Sequence, residues 1–508
     1  MLSYDIFTNS SLSQLSILEL SSNYLTSLST LSWMFNISAS LTSIDLSSNQ
    51  LEGHIPDSFG KLFFLAELDL SDNKLQGGIP SSLRNLHELD ISSNELNGLF
   101  PDNTTFSSLS RLDLRNNKLN VFHTQCLGQP LVLVKLDLSY NQLKRSPEDI
   151  EKLSNLRYLD LSHNQLKRLP GDIEKLSNLY DLDLSYNQLK RLPEGIEKLS
   201  NLYYLGLSSN LLEDTITESH LSNFANLKHL DLSLNSLTFN LSSDWIPPFQ
   251  METLDLSHCY LGPHFPNWIQ TQNTLDTLTL SFAGISDAIP NWLWNMSVNF
   301  LHLSHNNITG KIPNLSSQLI LHPEIIDLSY NNISGPIPLF LFYCNQLKLS
   351  KNMFSGSIFH LCTIPKGSII NMLDLSDNQL AGELPNCWMN ISGLSVLDLA
   401  NNKFSGKIPL TLGTLDQLEV LHLRGNNFIG ELPSTLRNCM GLRMLDVEGN
   451  NCYNSSPQAF LEAFLLQLVE QCWELDVRDN NNLCDKIQEK ISGVKEPLSE
   501  DKKVSTII

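Results

Sequence analysis

Leu136-Asp-Leu138-Ser-Tyr-Asn141 is one copy of a phrase, L-x-L-x-x-N, that recurs down the chain, for example as Leu68-Asp-Leu70-Ser-Asp-Asn73 and Leu397-Asp-Leu399-Ala-Asn-Asn402. The closing position falls at Asn23, Asn49, Asn73, Asn94, Asn117, Asn141, Asn164, Asn187, Asn210, Asn235, Cys259, Ala283, Asn306, Asn331, Asn352, Asn378, Asn402, Asn426 and Asn450. These 19 positions are separated by 21 to 26 residues, most often 23 or 24. Alternating leucines point one way from a short strand and the residues between them the other. No single copy can bury its leucines, so neighbours must stack and share a core.

A period in this range with this core is the leucine-rich-repeat signature. The expected fold is an α/β solenoid, a right-handed leucine-rich-repeat superhelix of plant type with about 19 repeats and a parallel sheet on its concave face. The Asn stands where the chain leaves the strand, placed to bond backbone groups of its own turn and the next. Cys259 keeps a weak donor there and Ala283 none, so the turn at Ala283 is expected to be weak. A second phrase, G-x-I-P or G-x-L-P, occurs at Gly53, Gly77, Gly310, Gly335, Gly382, Gly406 and Gly430. Gly permits the bend, and Pro sets φ where the chain enters the convex side.

The chain has 508 residues and a formal net charge of −21. That balance excludes a nucleic-acid partner, which needs a basic footprint. Fourteen acids share one place between the strand leucines: Asp45, Asp69, Asp90, Asp113, Asp137, Asp160, Asp183, Asp231, Asp255, Asp327, Asp374, Asp398, Asp446 and Asp476. They read either as hydrated, hydrogen-bonded consensus residues or as a strip favouring cationic or hydroxyl-rich ligands. His302, Lys348 and His422 replace Asp in that row, with Arg424 two residues beyond His422, and so are candidate ligand contacts.

The units between Leu133 and Asn210 are nearly identical, with Ile-Glu-Lys-Leu-Ser-Asn-Leu recurring from Ile150, Ile173 and Ile196. Their matched pairs Lys144/Arg145, Lys167/Arg168 and Lys190/Arg191 should stack into a basic ridge, read beside the nearby Glu and Asp as a solvated face. The same block carries Tyr140, Tyr158, Tyr180, Tyr186, Tyr203 and Tyr204 at outward positions. Exposed tyrosine is a frequent binding anchor. Tyr158, Tyr180, Tyr203 and Tyr204 with Asp137, Asp160 and Asp183 therefore form the leading ligand-site candidate.

Cys362 and Cys387 lie 25 residues apart where the local period is 26, nearly the same place in successive turns, and form a candidate disulfide. Ten N-x-S/T sequons are candidate glycosylation sites: Asn9, Asn36, Asn103, Asn240, Asn295, Asn307, Asn314, Asn332, Asn390 and Asn454. No nucleotide-binding, zinc-protease or nucleophile-elbow motif is present, and the histidines are scattered. No enzyme activity, cofactor or metal is expected. Residues 1–455 read as the repeat domain. Residues 456–483 read as an amphipathic helix, Phe460 to Trp473, followed by a degenerate repeat or cap, and residues 484–508 as a charged, disordered tail. No signal peptide or membrane span is visible.

Five phrases resemble plant leucine-rich-repeat receptor-like proteins, especially the group that includes fungal-xylanase receptors. They are Asp244-Trp-Ile-Pro-Pro-Phe-Gln250, Leu261-Gly-Pro-His-Phe-Pro-Asn-Trp-Ile-Gln-Thr-Gln272, Gly284-Ile-Ser-Asp-Ala-Ile-Pro-Asn-Trp-Leu-Trp-Asn295, Leu384-Pro-Asn-Cys-Trp388 and Leu436-Arg-Asn-Cys-Met-Gly-Leu442. The resemblance implies an extracellular or plasma-membrane recognition domain that binds a peptide, protein or glycan elicitor on its concave face. It implies signalling through a partner receptor kinase, in defence. The competing function is a soluble inhibitor or decoy of a pathogen's wall-degrading enzyme. Lacking the family's leader, amino-terminal cysteine cap, island segment, acidic juxtamembrane region and anchor, the chain reads as a fragment, a truncated relative or an incomplete gene model.

Overall fold

The computed structural model describes residues 15–36, 40–98, 106, 108–124, 132–169, 172–315 and 322–452, and the backbone of strand Glu474–Asp476. The chain divides into two compact units. The first ends at Tyr260 but includes Asn267–Leu275; the second takes Leu261–Pro266 and continues from Asp276. Each is a leucine-rich-repeat solenoid.

In the first unit eleven three-residue strands, from Ile17–Glu19 to Thr253–Asp255, pair in parallel with the next repeat. Nine more, from Thr277–Thr279 to Glu474–Asp476, do the same in the second. The register is leucine on leucine, as in Leu136↔Leu159 and Leu159↔Leu182. These side chains are buried, with Leu136 and Leu182 fully enclosed.

The closing Asn holds successive turns in step. The Asn141 Nδ2 donates to the Leu138 and Ser139 carbonyls of its own turn and to Leu114 of the preceding one. Its Oδ1 accepts the Leu119 N–H at 3.0 Å. Cys259 replaces this set with one Sγ contact to the Leu232 carbonyl. The structure refines the expectation at Ala283. There the Ala283 carbonyl itself accepts the Leu261 and Gly262 N–H groups, both at 3.0 Å, so the backbone replaces the accepting half of the missing amide but not its donating half.

The consensus Asp has a structural task as well. One carboxylate oxygen accepts the N–H two residues on, as Asp69 does from Ser71, Asp137 from Ser139 and Asp374 from Ser376. That bond closes the turn leaving the strand and leaves the second oxygen for the concave side.

All seven glycines of the G-x-I-P and G-x-L-P phrases have φ between 77° and 96°, a region a β-carbon disfavours. Where these phrases occur a second parallel ladder forms, such as Glu52–His54 with Lys74–Gly77 and Lys403–Lys407 with Asn427–Gly430. The following proline is extended and leads into a 3-10 turn, as at Pro56 and Pro409. The 133–210 block lacks the phrase. Its described residues carry only short 3-10 turns anchored by the buried Ile150, Ile173 and Ile196.

Three of the five tryptophans of the resembling phrases, Trp268, Trp294 and Trp388, are core, and Trp245 and Trp292 are half-buried. Trp268 meets Trp245 and Phe249 edge-on, and Trp294 and Trp388 are buried. The helix expected from Phe460 to Trp473 and the tail from residue 484 lie outside the described residues. Strand Glu474–Asp476 pairs with Met444–Asp446. Among the described residues no helix is long and apolar enough to cross a membrane.

Candidate ligand-binding surface

Counting the block by its 23-residue period separates the six tyrosines. Tyr158 and Tyr204 open their strands and share a register with Lys135, Asp181 and His229. Tyr180 and Tyr203 stand one residue earlier and stack at 4.8 Å with their planes 9° apart. Tyr158 lies 6.1 Å from Tyr180, and His229 lies 5.1 Å from Tyr203 and 6.4 Å from Tyr204. The result is one run of rings across four strands, in which Tyr158 and Tyr180 are exposed.

Tyr140 and Tyr186 belong elsewhere. They occupy the turn immediately before the closing Asn, at φ 52°, where His163 lies between them. The centroids are 3.8 Å from Tyr140 to His163 and 4.1 Å from His163 to Tyr186, nearly parallel. This second group was not separable from the first by residue type, only by register.

Asp137, Asp160 and Asp183 follow the ring run in adjacent strands. Each spends one oxygen on its own turn, at Ser139, Ser162 and Ser185. Burial, then the charge of Asp137, pushes the Asp160 carboxyl up to about 7. Asp181, which sequence reasoning passed over, is raised to about 6 by burial and then by Asp183. Asp137 is raised for the same leading reason, with Asp113 adding to it. The Tyr204 phenol is also pushed upward by burial and then by Asp183. Its hydroxyl is 3.5 Å from the Asp183 carboxylate, too long to hold much energy. The surface is a carboxylate row that resists full ionisation, covered on one side by aromatic rings. A cationic group placed there gains from both.

The other four candidates are not gathered into one site. His302 pairs in register with Thr279 and Asp327, and Lys348 with Asp327 and Asp374. His422 lies between Asp398 and Asp446 and contacts Asp398 through Nδ1 at 2.9 Å. That hydrogen bond raises the pKa of the imidazole. Arg424 stands 3.7 Å from Asp446 and 3.8 Å from Glu448. The cationic breaks at His422 and Arg424 therefore have carboxylates of neighbouring turns beside them. Among the described residues there is no cluster of three or more metal-ligating side chains.

Cys362 and Cys387 are joined by a disulfide, with Cα atoms 5.3 Å apart. Cys259, Cys344 and Cys439 are buried thiols, pushed up to about 12, 12 and 11 by burial. Asn240, Asn295, Asn307, Asn314 and Asn332 are exposed. Asn390 is half-buried, and its Nδ2 donates to the Cys362 and Ile364 carbonyls, bonds that a glycan on that nitrogen would disturb. Asn9, Asn103 and Asn454, and the side chain of Asn36, lie outside the described residues.

Family models identify the same repeats over much of the chain. A leucine-rich repeat region model matches residues 126–212, a leucine rich repeat model matches 84–143, and another matches seven further segments between 40 and 439. The chain is 44% identical over 426 residues to receptor-like protein EIX2 of Solanum lycopersicum, covering 76% of this chain and 41% of that protein. It is 44% identical over 342 residues to receptor-like protein EIX1 of the same plant, covering 60% and 33%. The chain thus spans 41% and 33% of the lengths of these relatives. Among solved structures it is similar to PEPR1 in PEPR1–AtPEP1, with TM-score 0.65, 28% identity and coverage of 87% and 69%. It is also similar to the Arabidopsis receptor kinase HAESA in complex with the peptide hormone IDA and the co-receptor SERK1, with TM-score 0.64, 27% identity and coverage of 88% and 85%. Repeat period, in-register ladder and relatives converge: the chain belongs to the plant leucine-rich-repeat receptor-like proteins.

Proposed function

We propose that this chain is a recognition segment of a plasma-membrane receptor-like protein, taking a peptide or protein ligand on the strip formed by Tyr158, Tyr180, Tyr203, Tyr204 and His229 above Asp137, Asp160, Asp181 and Asp183. The observation that carries the reading is the unbroken run of ring contacts over carboxylates of raised pKa. It is supported by likeness to HAESA, solved with a peptide hormone and a co-receptor. The ligand presents at least one Lys, Arg or amino terminus to the strip, where ring faces and carboxylates both favour positive charge. Signalling then proceeds through a partner receptor kinase, in defence.

The test is binding of candidate ligands, a fungal xylanase and synthetic basic peptides, to the purified chain by biolayer interferometry. Tyr158→Ala/Tyr180→Ala/Tyr204→Ala should weaken binding by well over about tenfold, since anchoring tyrosines often contribute 2 kcal/mol or more. The melting temperature should change little. Affinity of the parent should rise between pH 6 and 8 as Asp160 loses its proton. Unchanged affinity in the triple variant would move the site away from this strip, toward His302, Lys348, His422 and Arg424.

A further inference from the structure

Residues 133–210 hold 11 of the 33 Lys and Arg but only 11 of the 54 Asp and Glu. A chain that is strongly acidic elsewhere is neutral here, and six of those cations form three matched pairs one repeat apart. Lys144, Arg145, Lys167, Arg168, Lys190 and Arg191 are all exposed. Several of the acids that were expected to solvate them are committed elsewhere. Asp149 pairs with Lys152 at 2.7 Å, Asp172 with Lys175 at 2.5 Å, Glu174 with Lys198 at 2.5 Å, and Glu148 with His123 at 3.7 Å. Asp214 accepts the Leu192 N–H. Among the described residues none of the six ridge cations has an ion pair. Like charges one strand spacing apart, roughly 4.8 Å, repel.

The ridge does not stand alone. Reading back along the same three turns, each Lys–Arg pair is preceded by Gln142, Gln165 or Gln188, and these by Tyr140, His163 or Tyr186. The backbone keeps the rows in step, since Gln165 donates to the Leu143 carbonyl and Gln188 to Leu166. The rings line an open groove of about 590 Å³ together with Asn116, Gln142 and Ser209. Burial pushes the His163 imidazole pKa down, with Asp183 opposing it, and no Lys, Arg, Asp or Glu lines the groove. The ladder of rings ends at Ser209, which has the same backbone conformation but no ring to cover the outer face of the half-exposed Tyr186.

We infer that this flank, with its ring ladder, glutamine row and Lys–Arg ridge, binds an extended oligosaccharide of sugar acids, one carboxylate-bearing ring per repeat. Three features select that class. The cations repeat evenly, one Lys–Arg pair per turn, matching a linear polymer with one negatively charged ring per turn. The amides and ring edges offer hydrogen bonds to hydroxyls, and the Tyr186 face offers a platform for the apolar side of a sugar ring. The excess negative charge outside the block disfavours a long, densely charged polymer such as nucleic acid, which would reach past it. The site is distinct in register from the tyrosine–carboxylate strip, whose Asp183 acts on His163, and takes charge of opposite sign.

Isothermal titration calorimetry with decagalacturonate in calcium-free buffer tests this. The parent chain should bind, and binding should weaken steeply with added salt. Lys167→Gln/Arg168→Gln/Lys190→Gln/Arg191→Gln should lose at least about tenfold in affinity. Ser209→Tyr, which extends the ring ladder over the Tyr186 face, should weaken binding while leaving the ridge intact. Tyr158→Ala/Tyr180→Ala/Tyr204→Ala should leave it unchanged, which separates this site from the peptide strip. The inference is overturned if decagalacturonate does not bind, or binds the four-charge variant equally. It is equally overturned if the fully methyl-esterified oligomer or a single-stranded ten-mer oligonucleotide binds as well. Circular dichroism establishes that each variant is folded.

Discussion

The closing Asn, present in 17 of the 19 repeats, ties its turn to the one before it from Asn49 onward. Asn187 donates to the Leu161, Leu184 and Ser185 carbonyls and accepts the Leu166 N–H, all at 2.9–3.1 Å in a buried setting. Asn187→Ala leaves those groups without partners, at a cost of about 1–3 kcal/mol, and should lower the urea midpoint accordingly. Ala283→Asn, which restores the consensus, should gain less than Asn187→Ala loses, because the Ala283 carbonyl already holds the Leu261 and Gly262 N–H groups. A rise in stability as large as that loss would mean that the backbone does not replace the accepting half of the amide. Asp160 offers a second test at the same scale. Its carboxyl titrates at about 7 when folded and near 3.9 when unfolded. The folded chain therefore holds the proton more tightly. This group's contribution is fully present below about pH 4 and is lost as pH rises to about 7. Asp160→Asn keeps an oxygen for the Ser162 N–H, so it should match the parent at pH 4 and exceed it in melting temperature at pH 8. Identical pH profiles would make Asp160 an ordinary carboxylate and remove the reason for the expected rise in ligand affinity between pH 6 and 8.

The turn before each Asn shows how far an element can be read from sequence. Its backbone is left-handed in nearly every repeat, and most repeats place Ser, Asp, Asn or Gly there, as at Ser48, Asp72, Asn116 and Gly449. Tyr140 and Tyr186 violate that preference, which costs a side chain with a β-carbon about 1–2 kcal/mol. Stacking on His163 returns about 0.5–1.5 kcal/mol. The two nearly cancel, so Tyr186→Asn should change the melting temperature by only a few degrees. A loss comparable to that of Asn187→Ala would make the ring ladder a structural brace. The strand period, the ladder position and the spacing of Cys362 and Cys387 were all legible, because each is a matter of register along one repeat. The division of the tyrosines was legible in principle too, since 140, 163 and 186 differ from 158, 181 and 204 by their place in the 23-residue unit. Residue type alone merged them. What no count could reveal was the commitment of Asp149, Asp172 and Glu174 to lysines of the 3-10 turns, which leaves the ridge without an ion pair among the described residues. The raised pKa of Asp160 was equally hidden, because it depends on burial.

A molecule built of stacked repeats derives its stability from neighbours, so protection against exchange should follow how many neighbours a turn has. Around Asn402 the surroundings are complete. Its amide donates to Leu375, Leu399 and Ala400, its oxygen accepts the Leu380 N–H, and Leu397 and Leu399 are fully buried. Around Asn23 they are not. Its Nδ2 reaches only the Leu20 and Ser21 carbonyls of its own turn, Leu20 and Leu25 are half-buried, and strand Ile17–Glu19 pairs on one side among the described residues. Hydrogen exchange followed by mass spectrometry should therefore find the amides of Leu18 to Asn23 exchanging much faster than those of Leu397 to Asn402. Opening there should be local and leave the 133–210 block protected, because that block has described repeats on both flanks. Equal protection at the two places would show that another part of the chain, or a second copy of it, covers strand Ile17–Glu19. Repeating the measurement across a range of protein concentrations separates those two, since only association makes the protection depend on concentration.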